Sequence, residues 1–518
     1  MQYQFIIRNK CFFMTNYKTS YFFLSLLFCF QIAAAQNISG KIIDSQTGES
    51  IPYATIIVNN DENLVSNAEG LFTLSENSSN QNTILTISYL GYANQKLSVG
   101  DLIKQQNIIK LQAAIIELQE VNVPNKRLSP YEIMANVKAN IKNNYAKNSI
   151  PKKDMIFFRE ITNFKPSILD VAIDKSTGFS KESLKKANAQ MNAFTSKLIT
   201  QPPREYVDIL CNNYSYLTTK DDKPYFLSKL EVLKATKLKN ENSSTSLDDL
   251  QKSATDIILK HLDSTKYYRV KSGLFGSRDT ISLRKDFNKK KKTKSNQLSA
   301  TKANLSSFQI ENNITNITKF DFIHEPEAYN YIFEGATYTN ENEFVYVLSF
   351  KPKKSRAKYN GKLYITETNF AVIRADYKLE DGKKVSGVNL KLLLGIKTFE
   401  NVSNGTVIYK NSPVGNGYYL QYASHESGQY IYVNRPLKFI ELTDEDKDVV
   451  AFDLKVEGNS IEKKEYLNIS RTETSEATIQ KVTEDDFNFI KIKSYDPKIW
   501  KDYNGIEPLE EMKQFKAD

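Results

Sequence analysis

Two histidines and a carboxylate in this chain could hold a metal. His324-Glu-Pro-Glu327 has the H-x-x-E form, and His425 follows much later. Two imidazoles and one carboxylate would leave zinc an open position for a water nucleophile. Pro326 interrupts the pair, and no glycine-rich or arginine motif accompanies it, so a zinc-dependent hydrolase stands as the last alternative. His261 shares a helical face with Leu247, Leu250, Ala254 and Ile258, where a packed edge histidine is expected. Cys211 could be a nucleophile, but no motif sets a base beside it, and a plain buried thiol is expected. Asp221-Asp222 and Asp485-Asp486 have the composition of ordinary surface pairs. The chain has no G-x-S-x-G and no phosphate-cradling glycine loop. No catalytic, metal or binding residue is assigned, no cofactor is expected, and the protein is read as non-enzymatic.

The elements that would position any site are strands. Tyr329 to Leu379 breaks into short aromatic and β-branched runs separated by turn residues. Phe344, Tyr346, Leu348 and Phe350 fall on one face by the two-residue period, which makes that face the inner one and turns Val345 and Val347 away. Leu363 and Ile365, then Ala371, Ile373, Ala375 and Tyr377, repeat the device. This is an antiparallel meander with one apolar face. It resumes through Lys391-Leu-Leu-Leu-Gly-Ile, Tyr418 to Tyr422, Tyr430 to Val433 and Val449 to Val456, with Asn404-Gly405 expected as a hairpin turn.

With 518 residues the chain is too long for a single ordinary core. Its net charge is +10, and three of the basic residues, Arg8, Lys10 and Lys18, lie in the first 35 positions, which hold no acid. That segment reads as an export signal: Lys18, an apolar stretch from Tyr21 to Phe30, then Ala33-Ala34-Ala35 before Gln36. The Lys289–Lys294 run has no interleaved aromatics, so a solvated loop is favoured over a nucleic-acid surface. An acidic membrane surface stays open as its partner. Cys11 and Cys29 sit in the leader, so only Cys211 outlasts processing and no internal disulfide is available.

Asn37 to Leu111 reads as a small β-sandwich, with strands at Ile38–Asp44, Ala54–Val58, Leu71–Leu74 and Thr83–Tyr89. Gly40, Asp44, Thr47-Gly48, Ile51-Pro52, Ala54, Gly70, Phe72, Leu74, Ser88 and Gly91-Tyr92 together resemble the carboxypeptidase-regulatory-like domain. The resemblance implies a transthyretin-like sandwich without catalytic groups, of the kind that opens exported gram-negative envelope proteins. Leu118 to Val123 resembles the strand that follows this domain, and Ser129-Pro130-Tyr131-Glu132 is a capping box ahead of Ile133, Val137, Ile141 and Tyr145 on one helix face. This order is similar to a family that carries the domain ahead of a larger β-rich domain. The meander itself is similar in pattern to the half-barrel of periplasmic lipoprotein carriers, in which a curved sheet covers an apolar cavity.

The expected fold is therefore α+β, mainly β: an N-terminal β-sandwich, then a curved, half-barrel-like antiparallel sheet with inserted helices. The expected divisions are a signal peptide (1–35), the sandwich (36–112), a linker strand and helix (113–150), a β-rich domain (151–470) with a helical insertion near 180–319, and a charged tail (471–518). Trp500 and Tyr503 are its expected docking anchors, and Asn288 to Leu305 is expected to be mobile. The expected function is a binding or assembly module of the periplasm or outer membrane. A carrier of an apolar or lipid-like ligand is the alternative. An envelope protein or an apolar ligand is the expected partner, with a peripheral membrane contact open and nucleic acid excluded.

Overall fold

The structure, a computed structural model, describes residues 38–114, 128–145, 149–177, 179–239, 253–254, 256–262, 265–272, 275–281, 296–442, 447–503 and 505–517. The leader with Cys11 and Cys29, the 118–123 strand, Leu247 and Leu250, and the Lys289–Lys294 run lie outside those residues.

Seven strands build the N-terminal module: β1 (Ser39–Asp44), β2 (Thr55–Val58), β3 (Glu62–Val65), β4 (Leu71–Thr73), β5 (Ile84–Ser88), β6 (Gln95–Ser98) and β7 (Ile108–Leu111). They form two sheets, β4-β1-β7 and β3-β2-β5-β6. Ile42, Phe72 and Ile109 from the first meet Ile56, Leu85 and Ile87 from the second in a core of the module's own. Gly70 sits at φ +74°, where a Cβ would lie 2.6 Å from the Ile42 carbonyl oxygen, so the turn into β4 needs glycine. The sequence pattern marks four of these strands and misses β3, β6 and β7. A short helix, α1 (Val99–Lys104), is capped by Ser98.

The second region opens with α2 (Pro130–Asn144), whose capping box between Ser129 and Glu132 is formed and whose Ile133, Val137 and Ile141 are buried. There follow β8 (Lys152–Ser176), α3 (Lys181–Thr200), β9 (Arg204–Lys220), β10 (Lys223–Lys239), β11 (Tyr268–Ser272), β12 (Phe275–Ile281), α4 (Gln297–Glu311) and α5 (Asp321–His324). Then come β13 (Tyr329–Tyr338), β14 (Phe344–Pro352), β15 (Tyr359–Thr366), β16 (Val372–Leu379), β17 (Gly387–Leu390), α6 (Lys391–Leu394), β18 (Ile396–Asn411), β19 (Tyr418–Glu441) and β20 (Lys447–Glu473). The chain finishes with α7 (Glu476–Lys481), β21 (Ile490–Ile492) and α8 (Glu510–Gln514). The large sheet is curved and open, in the order β13-β14-β15-β16-β18-β19-β20-β8-β9-β10-β21. All its ladders are antiparallel except the short parallel pairing of β21 on β10.

Each face of this sheet is covered by a different set of elements. On one, α2, α4 and α5 supply Ile133, Val137, Leu305, Phe308 and Phe322 against Phe158, Ile209, Leu348, Phe350 and Tyr377. Phe322 stacks on Phe350 with ring centres 4.4 Å apart. On the other, Val65 of the module and Ile506 of the tail pack on Phe157, Leu210, Ile408, Tyr422 and Leu467. Alternation along β8 makes the division plain, since Phe158 belongs to the first core and Phe157 to the second. The inner face of the meander is thus filled by helices.

Several sequence expectations are corrected. The 180–319 segment is not a helical insertion throughout, because it holds the hairpin β9–β10. Val207, Ile209 and Cys211 face the helices while Leu210 faces the module, so burial on both sides erases the alternation that would have marked a strand. Asp221 and Asp222, at φ 51° and 59°, form its turn. Residues 297–305 are ordered in α4, whose first turn is capped by Asn296 and by the Asp486 carboxylate on Leu298 N at 3.0 Å. Asn404-Gly405 is no turn but the middle of β18; a Cβ on Gly405 would lie 2.4 Å from the Tyr377 hydroxyl, so glycine serves close approach there. Lys391 to Leu394 is a single exposed helical turn, not a strand. On β14, Val345 and Val347 are fully buried, whereas Phe344 and Tyr346 are only partly so, because the module covers the face expected to be open. Finally, β20 crosses the expected division at 470/471 and runs on to Glu473, while Trp500 docks as expected, meeting Phe157 edge-on at 5.4 Å.

Candidate functional site

Eight cross-strand neighbours form a polar row on the module-covered face: Lys362, Asp376, Thr406, Ser424, Glu465, Arg159, Asp208 and Thr236. Each comes from a different strand, β15 through β10 in sheet order. The row exists because each strand places one polar residue at the same level of the ladder among apolar ones. Arg159 and Asp208 are both buried and joined by two charge-assisted bonds of 2.7 and 2.8 Å. Glu465 accepts from Tyr422 Oη at 3.3 Å and pairs with Lys463 at 3.1 Å. Burial pulls the Lys463 ammonium down, but Glu465, Tyr53 and Glu426 together outweigh it and the net shift is upward. Asp376 accepts from Thr406 Oγ1 at 2.8 Å and from the Arg374 guanidinium at 2.8 and 3.1 Å.

One end of this row is the floor of a cleft of about 560 Å³. Lys362, Asp376, Thr406 and Ser424 form part of the floor, and Lys378, Asn404, Glu426 and Lys463 line it one step along their strands. Tyr53 and Ala68 of the module and Leu509 and Glu511 of the tail complete its walls. Three chain regions, far apart in sequence, thus enclose one space. Asn163 sits in its lining, 9% exposed, and its Oδ1 accepts no hydrogen bond. A buried amide oxygen without a donor is costly, so Asn163 marks an unsatisfied polar group beside the cleft.

The walls are held by specific contacts. Arg374 Nη2 donates to Tyr89 Oη at 3.1 Å, and the Gly91 amide donates to Thr337 Oγ1 at 3.2 Å. Lys410 Nζ donates to Asn63 Oδ1 at 2.8 Å. The tail is tied to the module through Asn67 Nδ2, which donates to the carbonyls of Glu507 and Pro508, both at 3.3 Å.

The residues singled out by sequence lie elsewhere. His324 Nε2 is spent on the Ile314 carbonyl at 2.9 Å, and His425 Nε2 faces Ser403 Oγ at 3.3 Å, so the two imidazoles serve different partners. Among the described residues no group of three or more His, Cys, Asp and Glu is placed to hold a metal. Burial, with Asp154 adding to it, pushes the Cys211 thiol up to about 12, far from thiolate chemistry. His261 pairs with Gln190 at 3.0 Å at the edge of a helix. The row itself left one trace in the sequence: single charges inside apolar runs, as in Phe-Phe-Arg159-Glu and Tyr-Val-Asp208-Ile. Only the ladder register brings them together.

No curated protein matches this chain. Among solved structures, a DUF1329 family protein from Desulfovibrio piger aligns at 8% identity over 67% of this chain and 95% of its own, with a TM-score of 0.17. The MucA/MucB complex of Pseudomonas aeruginosa aligns at 7% identity over 66% and 98%, with a TM-score of 0.14. A protein of unknown function from Bacteroides fragilis aligns at 9% identity over 84% and 98%, with a TM-score of 0.11. TM-scores at that level carry neither fold nor function across. The family match is of another kind, for it covers residues 38–123 in one piece: that stretch is a CarboxypepD_reg-like domain, set ahead of a larger β-rich region.

Proposed function

We propose that this protein is a non-enzymatic, exported binding or assembly module of the cell envelope, and that the cleft between module, sheet and tail is where it takes its ligand. The observation that carries the reading is the make-up of that cleft. Its lining balances Lys362, Lys378 and Lys463 against Asp376, Glu426 and Glu511. Amides, hydroxyls and Tyr53 supply the rest of its polar surface, and Asn163, with its unsatisfied oxygen, sits in the lining. Such a lining suits a polar segment without net charge, of the kind that envelope glycans and their peptides present.

The reading also accounts for the docked module. A ligand that touches Tyr53, Asn163 and Leu509 together joins three parts of the chain, and its binding energy favours the docked arrangement. The test is thermal unfolding of the wild type and Asn163→Leu with soluble neutral glycan fragments and short neutral peptides. The wild type is expected to melt higher with one of these classes and Asn163→Leu to lose the gain. A panel that stabilises neither protein, or both equally, overturns the proposal.

A further inference from the structure

The excursion between β16 and β18 ends in an exposed apolar tip. β17 pairs with the start of β18, from Gly387 opposite Phe399 to Leu390 opposite Ile396, and α6 closes the loop. Every residue from Ser386 to Leu393 is exposed. Leu392 is fully exposed and Leu393 is 80% exposed, with Val388 at 50% beside them. Single surface leucines need no explanation, but four large apolar side chains on one short projection, counting Leu390, do.

The charges around the tip point to its occupant. From Gly382 to Phe399 the charged residues are Lys383, Lys384, Lys391 and Lys397, with no acid among them; Asp381 and Glu400 are the nearest along the chain. Three of the lysines stand over aromatic rings: Lys384 over Phe399 at 4.1 Å, Lys391 over Tyr432 at 4.3 Å, and Lys397 over Tyr430 at 5.6 Å. Leucines at the apex, with a collar of lysines and aromatic rings behind them, match the layers of a membrane interface: acyl chains, then anionic headgroups. The projection is too small for a stable protein interface, which buries well over a thousand Å² in total as an order of magnitude. Among the described residues no helix is long and apolar enough to cross a membrane.

We propose that the Leu390–Leu393 tip inserts into the interfacial layer of an anionic phospholipid surface and that Lys384, Lys391 and Lys397 hold the headgroups. The proposal is independent of the cleft and of its ligand. Because the tip side chains touch no core, they can be replaced without unfolding the protein.

The experiment is co-sedimentation of protein recovered from the periplasm of a gram-negative host with vesicles of phosphatidylglycerol and phosphatidylethanolamine, and with vesicles of phosphatidylcholine alone. The wild type is expected to sediment with the anionic vesicles and to be released by salt. L392N/L393N should lower the partition at least tenfold at an unchanged melting temperature, and K384Q/K391Q should lower it several-fold. Binding unaltered in L392N/L393N overturns the proposal, as does equal binding to the neutral vesicles. A wild type that ignores vesicles but dimerises through the leucines also overturns it, in favour of a second copy of the chain.

Discussion

Arg374 of the large sheet and Tyr89 of the N-terminal module share a double contact: the guanidinium carbon lies 4.4 Å from the ring centre, and Nη2 donates to the phenol oxygen at 3.1 Å. The same guanidinium grips Asp376 through two bonds. Arg374→Met leaves that partly exposed carboxylate with only the Thr406 hydroxyl and is expected to destabilise by about 2–3 kcal/mol. Tyr89→Phe removes one hydrogen bond and is expected to cost about 1 kcal/mol. Denaturant titrations of the two variants measure this. Equal losses would show that the ion pair adds nothing to docking.

The two faces of β14 give a second expectation. Val347 is buried on the module side, whereas Tyr346 is partly exposed and donates its hydroxyl to Glu367 at 3.0 Å. A carboxylate at a fully buried site must be desolvated or protonated, so Val347→Asp should destabilise by about 4 kcal/mol or more. Tyr346→Asp should fall well short of that, near the common range of about 1–2 kcal/mol. Thermal melts that rank them the other way would refute this burial pattern.

His425 predicts an acid-side slope. Burial, with Lys319 and Lys464 adding to it, pushes the imidazole down to about 3 from the ordinary 6.5. Below the ordinary value the unfolded chain takes up a proton that the folded chain refuses. The contribution to stability is therefore whole above pH 6.5 and drains away as pH falls toward 3, by up to about 1.4 kcal/mol per pH unit. Stability of His425→Leu relative to wild type should rise across that window. A constant difference between the two from pH 6.5 to 4 would show that His425 titrates normally.

Processing gives the last expectation. The Ala33-Ala34-Ala35 pattern puts the first residue of the exported protein at Gln36. N-terminal sequencing of periplasmic material checks it, and a chain that still begins at Met14 or earlier would disprove it.

The sequence made the module and the meander legible because short aromatic and β-branched runs are set apart there by turn residues. Phe72, Ile87, Leu363 and Ala375 are all buried where the period places them. It hid β9 because Ile209 and Leu210 are buried on opposite faces, and a strand without alternation looks like no strand. The exposed tip was hidden by the opposite error, since Leu392-Leu393-Leu394 is apolar enough to read as core. The polar row showed only as single charges inside apolar runs, without their pairing. Arg159 and Asp208 are 49 positions apart, and nothing in either neighbourhood names the other.

The pairing of β8 with β20 also sets a timetable. Ser167 on β8 bonds to the Glu457 carbonyl on β20, 290 positions further on. A chain is made from its N-terminus, so the module, whose core contacts are local, can fold while the rest is still being made. β8 then has to wait with one edge bare until nearly the whole chain has arrived. Unpaired strand edges held that long invite association with other chains. Maturation of this protein therefore depends on what shields β8 until its partner arrives, and slow delivery of the C-terminal segments would show up as aggregation of otherwise unaltered chains.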